Sequence, residues 1–247
     1  MDASRQPIVA IDGPAGSGKS TVARLVALRA GLPFISSGAM YRAVALCAMR
    51  EGVSAADRGR LVQIAAALEF RFVTEPCGVM RTFIDGEDIT ETLQQPSVAQ
   101  VASAIATIPP LRAELVAKQQ AYGRQGGVVM EGRDIQTVVF PDADIKIFLT
   151  ASPEERARRR WKELVARGES HLYAAILQEV RERDHRDETR AASPLRAAPD
   201  AICIDTDHLG IEQVVEYVLA IIHAWRNDPT LQGESLARAA NGFRGQL

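Results

Sequence analysis

The chain has 247 residues, 47% of them hydrophobic but only 5% aromatic, so aliphatic side chains must build its core. With 29 Lys and Arg against 31 Asp and Glu, the net charge is −2, which excludes a nucleic-acid binder held by bulk charge. Cys47, Cys77 and Cys203 are scattered without metal-ligand spacing, and no apolar run approaches the ~18 residues of a membrane span. Together with the short apolar run before Asp12, which does not read as a signal peptide, this implies a reduced, cytoplasmic compartment.

Ile8–Ile11 is a β-branched run that suits a buried strand. Gly13, Pro14, Ala15, Gly16, Ser17, Gly18, Lys19 and Ser20 follow, matching G-x-x-x-x-G-K-[ST] at every position, and Thr21 to Ala30 reads as a helix. A strand, a full motif and a helix in that order form a phosphate cradle. The glycines let backbone N–H groups turn inward, and the helix start adds partial positive charge. In this reading Lys19, in a solvent-facing loop, reaches the β- and γ-phosphates of a nucleotide, and the Ser20 hydroxyl holds Mg²⁺.

Further along, Phe34-Ile35 is a short strand, and helices are predicted at about Met40–Arg50 and Ala56–Leu68. Phe70–Val73, Val79–Ile84 and Glu87–Thr90 read as three antiparallel strands. The turn cluster Glu75–Gly78 joins the first two, and the hairpin signal Asp85-Gly86 the others. Antiparallel strands do not belong in a parallel sheet, so they mark an inserted subdomain, placed at about 62–108. Ser97–Ile108 and Pro110–Tyr122 are helical, parted by Pro109-Pro110. Val128–Met130 is a buried strand ending at Glu131-Gly132-Arg133-Asp134, and Ile145–Leu149 is another.

Ser152-Pro153-Glu154-Glu155 is a capping box, and its helix carries Arg156, Arg158, Arg159, Arg160 and Lys162. That helix suits a lid, at about 151–171. A long helix follows from Leu172, then strand Ile202–Ile204 and helix Ile211–Trp225. The last residues, about 227–247, hold Pro229, Gly233, Gly242 and Gly245 and read as a loose tail. The whole is expected to be one α/β domain spanning 1–247. It combines a P-loop parallel sheet, helices on both faces, an antiparallel three-stranded acceptor subdomain and a helical lid.

A phosphate loop alone does not name a reaction. Asn227 and Asn241 are the only asparagines and neither opens an N-K-x-D motif, so a GTPase is excluded. Arginines instead crowd the predicted carboxyl ends of the strands, where open α/β sheets bind ligands. Arg42 and Arg133 lie there. On the long helix Leu172, Ile176, Val180, Arg183, Asp187 and Arg190 form one stripe that begins apolar and ends charged. Unpaired buried charge is costly, so the stripe should leave the core for a wet cleft, unless Asp187 simply pairs with Arg183 or Arg190. The pattern implies a second, phosphorylated substrate. Three readings stay open on residues alone: a nucleoside-monophosphate kinase, another small P-loop kinase, or a non-catalytic nucleotide-binding regulatory module.

Several segments in unchanged order resemble bacterial cytidylate kinases. They are the phosphate loop, Ser37-Gly38-Ala39-Met40-Tyr41-Arg42, Gly132-Arg133-Asp134, Thr137–Ala143, Glu155-Arg156-Ala157 and Arg183-Asp184-His185-Arg186-Asp187. The resemblance covers about 8 to 225. It implies transfer of the ATP γ-phosphate to CMP or dCMP with Mg²⁺, by a monomer that binds neither polymeric nucleic acid nor membrane. It places Gly13 to Thr21 on ATP. Ser37, Ser103, Arg112 and Asp134 would surround the acceptor base, Arg42, Arg133 and Arg190 its phosphate, and Arg183 and Asp187 its sugar. Lys19, Arg133, Arg156 and Arg160 would serve the transfer. Two positions depart from the family pattern: Ser36 replaces an aspartate and Gln136 a glycine.

Overall fold

The computed structural model describes residues 5–75, 79–124 and 126–244. In chain order it contains β1 (Ile8–Asp12), α1 (Lys19–Ala30), β2 (Phe34–Ser36), α2 (Ser37–Arg50) and α3 (Arg58–Ala67). Next come β3 (Phe70–Thr74), β4 (Met80–Ile84), β5 (Glu87–Asp88), α4 (Pro96–Ile105) and α5 (Pro109–Gly123). The second half holds β6 (Val128–Gly132), β7 (Ile145–Thr150), α6 (Pro153–Ala166), α7 (Tyr173–Thr189), β8 (Ile202–Asp205), α8 (Ile211–Asn227) and α9 (Gly233–Arg244).

Five strands form a parallel sheet in the order β2-β6-β1-β7-β8. Strand alternation sends side chains to two cores. Val9, Ile11 and Val129 join α1 and α8 through Val22, Val26, Val218 and Ile221. Ala10, Val128 and Met130 face the other way, onto Met40 and Val44 of α2 and Leu111 and Leu115 of α5. Each fully buried aliphatic side chain contributes on the order of 1.5–3 kcal/mol.

The antiparallel sheet β3-β4-β5 is present as expected, turned at Asp85-Gly86. Pro76, Cys77 and Gly78 of the predicted turn cluster lie outside the described residues. Among the described residues this sheet has no separate core. Ile84, Ile89 and Leu93 belong to the same cluster as Met130, and Tyr122 Oη of α5 donates to the Phe70 carbonyl at 2.8 Å.

The boundaries differ from the sequence expectation where a cap decides them. α2 begins at Ser37 rather than Met40, because Ser36 Oγ accepts the Ala39 N–H at 3.3 Å. α3 begins at Arg58, because Asp57 accepts the Arg60 N–H at 3.0 Å. Only half of the capping box on α6 forms. Ser152 Oγ accepts the Glu155 N–H, while the Glu155 carboxylate is taken by Arg158 and Arg159.

The expectation of a loose tail is corrected over 233–244. α9 docks on α8, and Leu236 and Ala240, one helical turn apart, are buried in the core that holds Trp225. The glycines obscured this apolar stripe. Among the described residues no helix is long and apolar enough to cross a membrane.

Candidate active site

All five parallel strands end at one edge of the sheet, and chemistry-bearing residues follow each end. The phosphate loop follows β1 at the centre. Gly16 and Gly18 carry φ of 79° and 85°, a left-handed geometry that side chains with a Cβ resist. Gly18 caps α1, so Lys19 is its first residue. The expectation of a solvent-facing Lys19 is corrected here. Lys19 is only 5% exposed, and its Nζ donates to the Pro14 carbonyl at 3.2 Å and lies 4.0 Å from Glu131 Oε2. Burial, reinforced by the charge of Arg133, pulls its pKa down to about 7 despite Glu131. Ser17 Oγ is buried without a partner, whereas Ser20 is exposed at the helix start and Thr21 half-buried.

The other polar residues expected at the site gather from α2, α4, α5, α7 and the segment after β6. Ser37 is buried, and a Cβ on Gly132 would lie 2.5 Å from its Oγ, so glycine is required at that approach. Asp134 pairs with Arg112 of α5, both nearly fully buried. Arg112 also donates to the Ala106 carbonyl at 2.9 Å. Arg133 Nε donates to Asp187 Oδ2 at 3.0 Å. Asp187 therefore bridges from α7 to the segment just past β6, and its hydrogen-bond partner is neither Arg183 nor Arg190. Burial pushes its carboxyl up, but Arg133, Arg183 and Arg190 outweigh this and hold it below the usual range. Ser103 stands half-buried on α4.

Arg42 Nε, Arg183 Nε and Arg190 Nη2 are buried with no hydrogen-bond partner. Burial, then the neighbouring Arg133, lowers Arg183 to about 10. Burial first lowers Arg42 and Arg190 as well. A set of desolvated guanidiniums with unmet N–H groups is costly unless an anion completes it.

The expected stripe on α7 divides. Ile176 and Val180 pack on Ala157 and Leu164 of α6, but Leu172 is 79% exposed and outside any core. On α6 the arginines separate. Arg156 is 3% exposed. It donates to the Ala151 and Ala15 carbonyls and, through both terminal nitrogens, to Asp184 at 2.8 and 2.6 Å. Arg159, which sequence reasoning passed over, donates to the Thr206 carbonyl and hydroxyl at 2.5 and 3.1 Å. Thr206 Oγ1 in turn lies 3.4 Å from the Ser17 carbonyl. The i, i+4 relation to Glu155 was the signal available for Arg159. Arg160 faces solvent, 3.5 Å from Glu163.

The phosphate loop thus lies at the same sheet edge as a half-buried arginine set and a buried carboxylate–guanidinium pair, and the sequence as a whole has known relatives. The cytidylate kinase family model matches residues 9–224. The chain belongs to the cytidylate kinase family. A cytidylate kinase of Pelotomaculum thermopropionicum is 52% identical over 222 residues, covering 90% of this chain and 98% of that relative. Those of Solibacter usitatus and Desulfitobacterium hafniense are each 46% identical, covering 89% and 87% of this chain and 94% and 92% of their own. As a member, the chain is a nucleoside-monophosphate kinase, a phosphotransferase.

The two departures from the family pattern have local accounts. Ser36 Oγ donates to Glu131 Oε1 at 2.5 Å while capping α2. Glu131, pushed up by burial, is held below its usual range by Lys19 and by this hydroxyl. Gln136 lies in a π-helical turn, Ile135–Val139, and needs no left-handed backbone: among the described non-glycine residues only Asp85 and Ser193 have positive φ. Its side chain accepts from the Ala198 N–H at 3.0 Å and donates to the Ile147 carbonyl at 3.4 Å.

The outward Arg160 gives a test of lid closure. If α6 swings over bound ATP, Arg160→Ala should lower kcat by about 10²-fold, the scale of a lost charge-stabilising donor. The KM for ATP should stay within about twofold, because the contact forms only in transfer. Unchanged turnover would leave Arg160 as a solvated surface arginine.

Proposed function

We propose that this chain transfers the γ-phosphate of ATP to CMP or dCMP, giving ADP and CDP or dCDP. The observation that carries the reading is the half-buried set Arg42, Arg183 and Arg190, each with one buried nitrogen that lacks a hydrogen-bond partner, beside the Arg112–Asp134 pair. A nucleoside monophosphate offers both things this arrangement wants, a dianionic phosphate and a base with polar edges.

In this reading Gly13 to Thr21 hold ATP, with Lys19 on its terminal phosphates. Arg42, Arg133 and Arg190 bind the acceptor phosphate, and Arg183 and Asp187 meet the sugar. Ser37, Ser103, Arg112 and Asp134 meet the base. Arg133, Arg156 and Arg160 neutralise charge on the group in flight. No strong base is needed, because phosphoryl transfer through a loose transition state depends mainly on positioning and charge neutralisation. The neutral hydroxyls of the loop, exposed Ser20 and unpartnered Ser17, suit Mg²⁺, which prefers oxygen ligands shared with phosphates and water. Ser20 would hold it, and when bound it would draw charge from the phosphate oxygens. A cytoplasmic monomer is part of this reading.

The test is ADP release from ATP with CMP, dCMP, UMP and AMP as acceptors. CMP and dCMP should turn over well and UMP and AMP poorly. Equal use of UMP would point to a different acceptor. No ADP with any of them would leave a nucleotide-binding module.

A further inference from the structure

The residues that read the acceptor, Arg133 and Asp134, occupy only two positions between the end of β6 and the π-helical turn. Gln120 of α5 holds the far end of that turn, its Nε2 donating to the Val139 carbonyl at 3.1 Å, and a side chain of β1 holds its start. Asp12, the last residue of β1, is fully buried. Its Oδ1 accepts the Ile135 N–H at 3.0 Å and its Oδ2 accepts the Gln136 N–H at 2.9 Å. Its backbone is the register partner of Gly132 in the β1–β6 ladder. One residue thus holds both ends of the Arg133-Asp134 segment, by the ladder on one side and by the carboxylate on the other. The next residue is Gly13, where the donor loop starts.

We propose that Asp12 is a positioning residue that fixes Asp134 for base reading and ties its placement to the strand carrying the donor loop. A carboxylate buried this completely is disfavoured as a charge: burial drives its pKa up to about 7 even against the two N–H bonds. Its use here follows from geometry. The first N–H groups of a helical turn lack intrahelical partners, and an acceptor with two oxygens satisfies two consecutive ones. Gln136 closes the third side, through Ile147 of β7 and Ala198 beyond α7. Asp134 then stands where Arg112 meets it, before any acceptor arrives.

The inference rests on Asp134 as the base reader, so Asp12→Asn and Asp134→Ala are measured in parallel. An asparagine offers one oxygen and sets an NH₂ donor against an N–H donor, so one end of the turn is released. We expect Asp12→Asn to lower kcat/KM for CMP by about 10²-fold, the cost of a misplacement near 1 Å. UMP use should fall far less, and the KM for ATP should stay within about threefold. A merely structural role would lower both acceptors equally. If Asp134→Ala loses the preference for CMP while a folded Asp12→Asn keeps it, the positioning role fails alone. If Asp134→Ala keeps the preference, the base reading itself fails. Hydrogen exchange on the unmutated enzyme decides the case in which Asp12→Asn does not fold. The Ile135 and Gln136 amides should already exchange slowly without nucleotide, and CMP should not slow them further. Amides that exchange fast until CMP is added would overturn the proposal.

Discussion

Asp134→Ala is expected to remove most of the enzyme's preference for CMP over UMP. Cytosine presents an exocyclic amine donor beside acceptors at N3 and O2. A carboxylate accepts from the amine and a guanidinium donates to the acceptors, and the structure holds one of each, Asp134 and Arg112, as a buried pair. Uracil puts a carbonyl where the amine was and a proton on N3, so each side chain faces its own kind. Sites built to pair a specific polar group reject the wrong one by about 10⁴-fold at best. We expect at least about 10²-fold in kcat/KM here, since a cleft open to nucleotide is partly wet. In Asp134→Ala, CMP use should fall steeply and UMP use little. Losing the carboxylate also leaves Arg112 buried with its charge uncompensated, a cost of roughly 3–5 kcal/mol in stability. Kinetics therefore belong below the variant's melting temperature. Asp134→Asn supplies a milder control, because its NH₂ can donate to the uracil carbonyl and should raise UMP use relative to CMP. Full discrimination retained in both variants would remove Asp134 from base reading.

Lys19→Ala should cost the transfer reaction roughly 1.5–3 kcal/mol for the lost charge-assisted bond, about 10- to 10²-fold. Misalignment of the donor would add to that. The fold should survive. In the free enzyme a lysine with pKa lowered to about 7 disfavours the native state when charged, so its contribution to stability improves as pH rises from about 7 towards its unfolded value. The same depression gives a second readout. As pH rises above about 7 a growing share of Lys19 in the free enzyme is neutral. Donor phosphates favour the ammonium, so ATP binding should take up protons, measurable as a buffer-dependent calorimetric enthalpy. The uptake should shrink as pH falls below about 7 and be absent in Lys19→Ala. A folded Lys19→Ala with normal turnover would dismantle the donor-site assignment.

Much of this protein was written locally. The phosphate loop, the hairpin at Asp85-Gly86, the Ser152 cap of α6 and the strand ending at Gly132 all depend on residues within a few positions of one another. Backbone geometry and short-range hydrogen bonds fix such features whatever the rest of the chain does. The order of strands and helices followed, and with it the sheet edge at which ligands bind.

The partners of long polar side chains were not legible. Asp187 lay on a face with Arg183 and Arg190, which left an internal pair open as the alternative to a wet cleft, yet it reaches Arg133, distant in sequence just past the end of β6. Arg156 and Arg160 share a helix face by spacing, but one is pinned to the phosphate loop and Asp184 while the other meets solvent. Lys19 is buried because β6 brings Glu131 beside it. α9 docks because its Leu236 and Ala240 join the core around Trp225 of α8, a residue that lies outside 233–244. The sequence by itself determined which chemical groups are present and which elements carry them. Only the tertiary structure decided which charges meet. An arginine or carboxylate has several rotatable bonds and many possible partners, and the low-dielectric interior rewards only the pairing that packing places within hydrogen-bond reach.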